Sequence, residues 1–432
     1  MQISVRSTGF AFTVLAALLV TCASSGCSTD RDPAAVASPT DKPKKAADAK
    51  PRPPKLDGSL GDILVAGRPV TGSERSGHPV VPFKRTYTDG ELYAAVTSYR
   101  SMPWGTTGLE SIFDEDIKAG KDVVTTIDPA VQRAAYDGLR GQIGAAVAMD
   151  AQTGDILGLV STPSFDPGSF SGNTMADQRA WVAIKDLPEN PLKNRAIRSV
   201  ENPGSAIHVL VAAAALDKGL LTSVDTPTRS AAVYAAPDSS TQFTGDPAHC
   251  TNATLRAALR YDCSNVFARI AADLGAEALA STAGSYGFND DRIETPVRTF
   301  ENTWPKKPEN ATQLAMMANG LFEVKTTPLQ MAVITAMFTN GGSRVHPNLV
   351  VDSKTALSPQ RMVTQRTADQ LHSALGDSFG AWVPSASLTW SLSSTRTADG
   401  RQVAIAVYIS AATDSSPLAG HIVQRISAAA RK

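Results

Sequence analysis

The chain has 432 residues, 42% of them hydrophobic and 19% charged, which fits a globular protein of roughly two or three domains with a substantial core. Its 41 basic and 41 acidic residues cancel, so no global charge argues for nucleic acid or for acidic substrates. The four cysteines, at positions 22, 27, 250 and 263, form no Cys-x-x-Cys pair, which argues against a zinc site, and no metal or other cofactor is expected.

The N-terminus reads as a targeting segment. Arg6 precedes an apolar stretch from Gly9 to Val20, short for a membrane span and of the right length for a signal-peptide core. Ser24-Ser25-Gly26-Cys27 then resembles a bacterial lipoprotein cleavage site, with Ser24 where that pattern prefers leucine. The expectation is a leader over 1–26 and lipid on Cys27, anchoring the chain to the membrane outside the cytoplasm. Plain secretion and an uncleaved anchor are the alternatives, and Cys22 after Thr21 is the poorer lipidation site. With Cys22 removed and Cys27 lipidated, Cys250 and Cys263 remain as an even pair, which an extracytoplasmic site permits to close. Residues 27–58 are rich in Ala, Pro, Lys and Asp and read as a solvated tether.

From Leu60 the texture changes. Asp62-Ile63-Leu64-Val65 reads as a strand before a Gly-Arg-Pro turn, within a small irregular pedestal over 59–121. Residues 122–432 then form the main domain. Val123–Ile127 is a β-branched strand, and Asp128-Pro129 starts a helix that runs to about Leu139. Ala145–Asp150 and Ile156–Val160 read as strands of a hairpin turned at Gln152-Thr153-Gly154-Asp155.

The stretch around which the chain is organised is Asn202-Pro203-Gly204-Ser205-Ala206-Ile207-His208-Val209. A Pro-Gly turn delivers Ser205 to the start of an apolar run, Val209–Leu216, that reads as a buried helix. A serine there meets free N–H groups and the positive end of the helix dipole, which favour a developing negative charge. His208 lies three residues on, one turn along the same face.

Five blocks carry a resemblance. TTIDPAVQRAA at 125–135, GAAVAMDAQTGDILGLVSTPSFDP at 144–167, NPLKNRAI at 190–197, NPGSAIHVLVAAAALDKG at 202–219 and TTPLQMAVITAMFTNGG at 326–342 occur in that order. Together they resemble the transpeptidase domain of class B penicillin-binding proteins, and ELYAAVTSYRSMPWGTTGLE at 91–110 is similar to the pedestal of actinobacterial members. The resemblance covers about 60 to 410. It implies an α/β (α+β) fold, an antiparallel sheet flanked by helices with a helical subdomain as the other wall of a cleft. It also implies D,D-transpeptidation of peptidoglycan stem peptides, trapping by β-lactams and work beside other cell-wall synthesis proteins.

The motifs of that family are degenerate here. Ser205 stands at the nucleophile, but the base position three residues on holds His208 where the family has lysine. The second box, Ser-x-Asn, falls in Tyr261-Asp262-Cys263-Ser264-Asn265. One frame puts Asp262 at the serine and Ser264 at the asparagine; a one-residue slip keeps Asn265 as the substrate-binding asparagine. The first is preferred, because it needs no deletion before Phe267-Ala268 and keeps the Cys250–Cys263 pair seen in some relatives. The Lys-Thr/Ser-Gly box should lie between Leu371 and Ser394, which contains no lysine; Lys354 comes too early in the chain. Removing one member of a cooperative catalytic set costs about 10⁴–10⁶ in turnover, so departures in all three boxes point to a pseudoenzyme that binds stem peptides or β-lactams weakly.

A sharper alternative remains. If Asp262 sits beside His208 and His208 beside Ser205, the three form a nucleophile, base and orienting acid, and the protein is an active serine acyl-enzyme. The simpler reading makes His208 and Asp262 a structural ion pair. Trp382 and Trp390 are both candidates to line a glycan groove, with core the favoured reading, and Trp382 is the substrate-binding candidate. His249 beside Cys250 reads as a loop residue, and His78, His346, His372 and His421 share no spacing.

Overall fold

Seven of the eight residues of Ile143–Asp150 are buried, as are the seven central residues of Gln402–Ser410. Strands buried at successive positions must be covered on both faces, and that sets the architecture. The computed structural model describes residues 57–237, 239–290, 295–351, 358–376, 378–385, 388–410 and 415–432. Cys27, the leader, nearly all of the tether, Lys354 and the Trp382 side chain lie outside what is described. Among the described residues, no helix is long and apolar enough to cross a membrane.

The pedestal begins with β1 (Ile63–Val65) and a hairpin of β2 (Thr71–Arg75) and β3 (Phe83–Tyr87), followed by α1 (Gly90–Thr97). β1 pairs in parallel with β4 (Val123–Val124). The strand expected over Val123–Ile127 stops there: Thr125 and Thr126 turn their hydroxyls onto the Leu64 and Ile156 carbonyls. The pedestal is organised by buried charge. Arg85 and Glu110 are fully buried and meet at 2.5 Å, and Arg100 joins Glu110 at 2.8 Å and Asp114 at 2.7 Å.

The main domain follows. Asp128 caps α2 (Pro129–Leu139), its carboxylate accepting from the Ala130 and Val131 N–H groups, so the Asp-Pro signal acts as the sequence suggests. β5 (Ile143–Asp150) and β6 (Ile156–Thr162) form the hairpin, and α3 (Met175–Lys185) lies beyond it. The helical side contains α4 (His208–Asp217), α5 (Leu255–Arg260), α6 (Ser264–Leu274), α7 (Ala311–Ala318), α8 (Pro328–Thr339) and α9 (Gln365–Leu375). The chain returns through β7 (Ser378–Ser385), β8 (Leu388–Arg396) and β9 (Gln402–Ser410) and ends in α10 (Ser416–Ala430).

These strands make one antiparallel sheet of order β7-β8-β9-β5-β6. α2 and α10 pack together on the sheet, and α8, buried along its whole length, packs on β9, β5 and β8 and carries the sheet to the helical side. β7 and β6 are the two edge strands, and β7 borders the turn that holds Ser205.

Glu110 is the buried carboxylate that two arginines share, so its removal leaves the fully buried Arg85 with Asp62 at 3.8 Å and Arg100 with the more exposed Asp114. Glu110→Ala is expected to lower stability by about 3–5 kcal/mol, read from the shift of the chemical-denaturation midpoint. A loss below about 1 kcal/mol would mean that the network is solvated in solution.

Candidate active site

The serine turn is fixed from behind. Asn202 donates to the Phe322 and Val324 carbonyls at 3.0 and 2.8 Å and accepts from the Lys325 ammonium at 3.0 Å. Its own carbonyl accepts from the indole N–H of Trp390 at 3.0 Å, and Trp390 is wholly buried on β8. Trp390 is therefore core, and it also positions the turn. Gly204 has φ +55° and bonds the Gly320 carbonyl. Gly320 has φ +64°, and a Cβ there would lie 2.0 Å from the Gly204 oxygen, so the close approach needs glycine. Gly204–Ile207 forms a 3₁₀ turn and the α-helix begins at His208.

Asp262 comes from the opposite wall. It sits between α5 and α6 with φ +54°, a left-handed conformation that Asp and Asn tolerate better than most residues. The Ser205 hydroxyl donates to Asp262 Oδ2 at 2.7 Å, and Asp262 Oδ1 lies 3.2 Å from His208 Nδ1. The carboxylate thus stands between serine and histidine. This corrects the expected nucleophile–base–acid order: the imidazole is not the group that takes the Ser205 hydrogen bond. His208 Nε2 faces Asn319 Oδ1 at 2.9 Å, and the ring stacks on Phe267 at 3.7 Å. Asn319 Nδ2 donates to the Ala315 and Ser264 carbonyls, which fixes the amide with its oxygen toward the ring. Both ring nitrogens thus face oxygens of neighbouring side chains.

The remaining expected residues take other posts. Ser264 offers its carbonyl to Asn319. Asn265 is fully buried and donates to the Ala231 and Cys250 carbonyls at 2.7 and 2.9 Å, so its amide N–H groups brace the wall. Cys250 and Cys263 form a disulfide with Cα atoms 5.4 Å apart, next to Asp262. On β7 the backbone of Trp382 pairs with Trp390, and the strand reads SFGAWVPS, with no lysine. His249 stacks on Tyr261 at 3.9 Å, and no metal-holding cluster occurs among the described residues. Sequence reasoning missed Asn319 and used Phe267 only to set the frame of the second box; Asn319-Gly320 closing an apolar helix is the available signal.

Burial pushes the Asp262 carboxyl up, but the hydrogen bond and charge of His208, with the Ser205 hydroxyl, outweigh it and hold the group below its ordinary value. Its stabilisation is therefore full above the unfolded value near 4 and is lost as pH falls through the lower folded value. Asp262→Asn is expected to be less stable than wild type at pH 7, with the difference shrinking below about pH 4. Urea unfolding from pH 7 to 3 measures this; a difference independent of pH would exclude a charge-based contribution.

Comparison with known proteins places this geometry. The family "Penicillin binding protein transpeptidase domain" matches residues 144–378, and "Penicillin binding protein A dimerisation domain" matches 60–135. Peptidoglycan D,D-transpeptidase PbpA of Mycobacterium tuberculosis is 34% identical over 301 residues, 62% of this chain and 60% of the relative; that of Mycolicibacterium smegmatis is 32% identical over 302, 63% and 61%. This chain thus spans about three fifths of these relatives. The crystal structure of PBPA from M. tuberculosis superposes with a TM-score of 0.77 at 28% identity, covering 87% of this chain and all of that one. Its imipenem acyl-enzyme complex gives 0.75 at 28% identity, covering 86% and 98%. The chain belongs to the penicillin-binding protein transpeptidase family.

Proposed function

We propose that this protein is a cell-wall domain impaired in D,D-transpeptidation. Its role is to bind peptidoglycan stem peptides or to engage proteins of cell-wall synthesis, outside the cytoplasm and tethered to the membrane through lipid on Cys27. The observation that carries the reading is the order Ser205–Asp262–His208. A base at the lysine position must present a lone pair to the serine. His208 instead has both nitrogens committed, to Asp262 and to Asn319. The substrate-binding strand also lacks the cationic residue that would hold a stem-peptide carboxylate. The relatives named above are D,D-transpeptidases, and PBPA of M. tuberculosis forms an acyl-enzyme with imipenem; the departures lie at the positions that such acylation uses. The disulfide supports an exported location.

Intact-protein mass spectrometry after hours in excess benzylpenicillin is expected to show no adduct. A stoichiometric adduct absent from Ser205→Ala would overturn the impaired reading. For the anchor, Cys27→Ala expressed in the native host is expected to move from the membrane to the soluble fraction. Unchanged membrane retention would refute lipid tethering at Cys27.

A further inference from the structure

We propose that Asp262, and not His208, is the proton acceptor for Ser205, with His208 held beside it as a buried cation by Asn319. The pair is a serine–carboxylate dyad able to react with small uncharged electrophiles that need no carboxylate anchor. This goes beyond impaired transpeptidation, which concerns penicillin-type acylation and stands or falls separately.

Three observations assign the roles. First, the Ser205 hydroxyl meets Asp262 Oδ2 at 2.7 Å, hydrogen-bond distance for a proton about to be transferred. Second, His208 cannot receive that proton. Its Nε2 faces the Asn319 oxygen at 2.9 Å, and Asn319 cannot turn over without giving up its bonds to the Ala315 and Ser264 carbonyls. Nδ1 faces the other carboxylate oxygen at 3.2 Å. A neutral ring would press a lone pair against an acceptor on one side; the imidazolium does not. The ring is 2% exposed and lies flat on Phe267, a position that suits a cation over a π face. Third, the Asp262 side chain is half exposed, so it can hand a proton to water, and Ser205 is itself partly open to an incoming molecule. His208 is the charged group that the structure pairs with Asp262. His208 and Asn319 touch no reacting atom and are positioning residues.

With a fluorophosphonate probe the step balances as follows. The Ser205 Oγ–P bond forms, the P–F bond breaks and fluoride leaves. The hydroxyl proton passes to Asp262 Oδ2 and then to water. No oxidant or metal is needed.

The test is the rate of fluorophosphonate labelling of the full chain in detergent, across pH 3 to 9, together with ¹⁵N spectra of selectively labelled histidines. Ser205 is expected to be labelled, and Ser205→Ala not. Asp262→Asn, which suits φ +54°, should slow labelling by about 10²-fold; Asp262→Gly, which also tolerates that φ, is the second variant should the first misfold. The rate should fall only below about pH 4, as for a carboxylate held below its ordinary value. Asn319→Leu should shift the His208 ring ¹⁵N signals and move the pH profile. No labelling, undiminished labelling of both Asp262 variants, or a midpoint between about pH 6 and 7 would overturn the assignment of the base. His208 ring signals unchanged in Asn319→Leu would overturn the role of Asn319. Benzylpenicillin acylation is read independently, so neither result decides the other.

Discussion

One carboxylate joins the two walls of this cleft. Asp262 takes the hydroxyl of Ser205 on one oxygen and faces the imidazole of His208 with the other, so the chemistry of both depends on where it stands. Its place is over-determined locally. The residue is left-handed, the Ser264 N–H bonds its carbonyl, the Cys263 N–H bonds Ala258, and the disulfide ties Cys263 to Cys250. A side chain on so constrained a corner loses little further freedom when it pairs, which makes the interaction worth more than an ordinary surface ion pair.

The serine turn has a different support. It hangs from Asn202, which is held by Trp390 in the sheet and by the segment 322–325 on the helical side. Lys325 is the lysine recorded at this turn, and its ammonium is bound to the Asn202 side chain rather than to the serine. The turn that carries Ser205 is therefore firmly held, and the group that meets its hydroxyl is a carboxylate. Scaffold and chemistry are separable because the one rests on buried backbone contacts and the other on two or three side-chain tips.

Much of the scaffold was legible from sequence. Asp128-Pro129 marks a helix start, the run after His208 is apolar at every position to Leu216, and the hairpin around Gly154 is bounded by turn residues. The preference for Asp262 at the serine position of the second box rested on a disulfide and on Phe267-Ala268. Phe267 matters here for a second reason, since it is the platform under His208. What the sequence did not disclose is the order of the site. A spacing of three says that Ser205 and His208 leave the chain on one side; it does not say which partner each will take. Asn319 is 111 residues from His208, and nothing local to either residue announces the contact. Trp390 was ambiguous between groove and core for a related reason. A tryptophan needs an acceptor for its N–H when buried, and the acceptor, the Asn202 carbonyl, is 188 residues away.

The half-exposed Asp262 carboxylate bears on what can approach Ser205. A ligand ending in a carboxylate approaches a strand without a cation and a corner that carries an exposed anion, Asp262, whose counter-charge on His208 is buried behind it. At about 4 Å, like charges repel by about 1 kcal/mol in bulk water and about 4 kcal/mol near a protein surface, enough to turn a good anchor into a poor one. The outer edge of β7 is unaffected, because its hydrogen-bonding groups belong to the backbone and, among the described residues, it pairs with β8 alone. Extended peptides can add to such an edge through main-chain bonds. Beside Ser205 the chain thus offers an extended segment the backbone groups of β7 and, at Asp262, an anion rather than a cation.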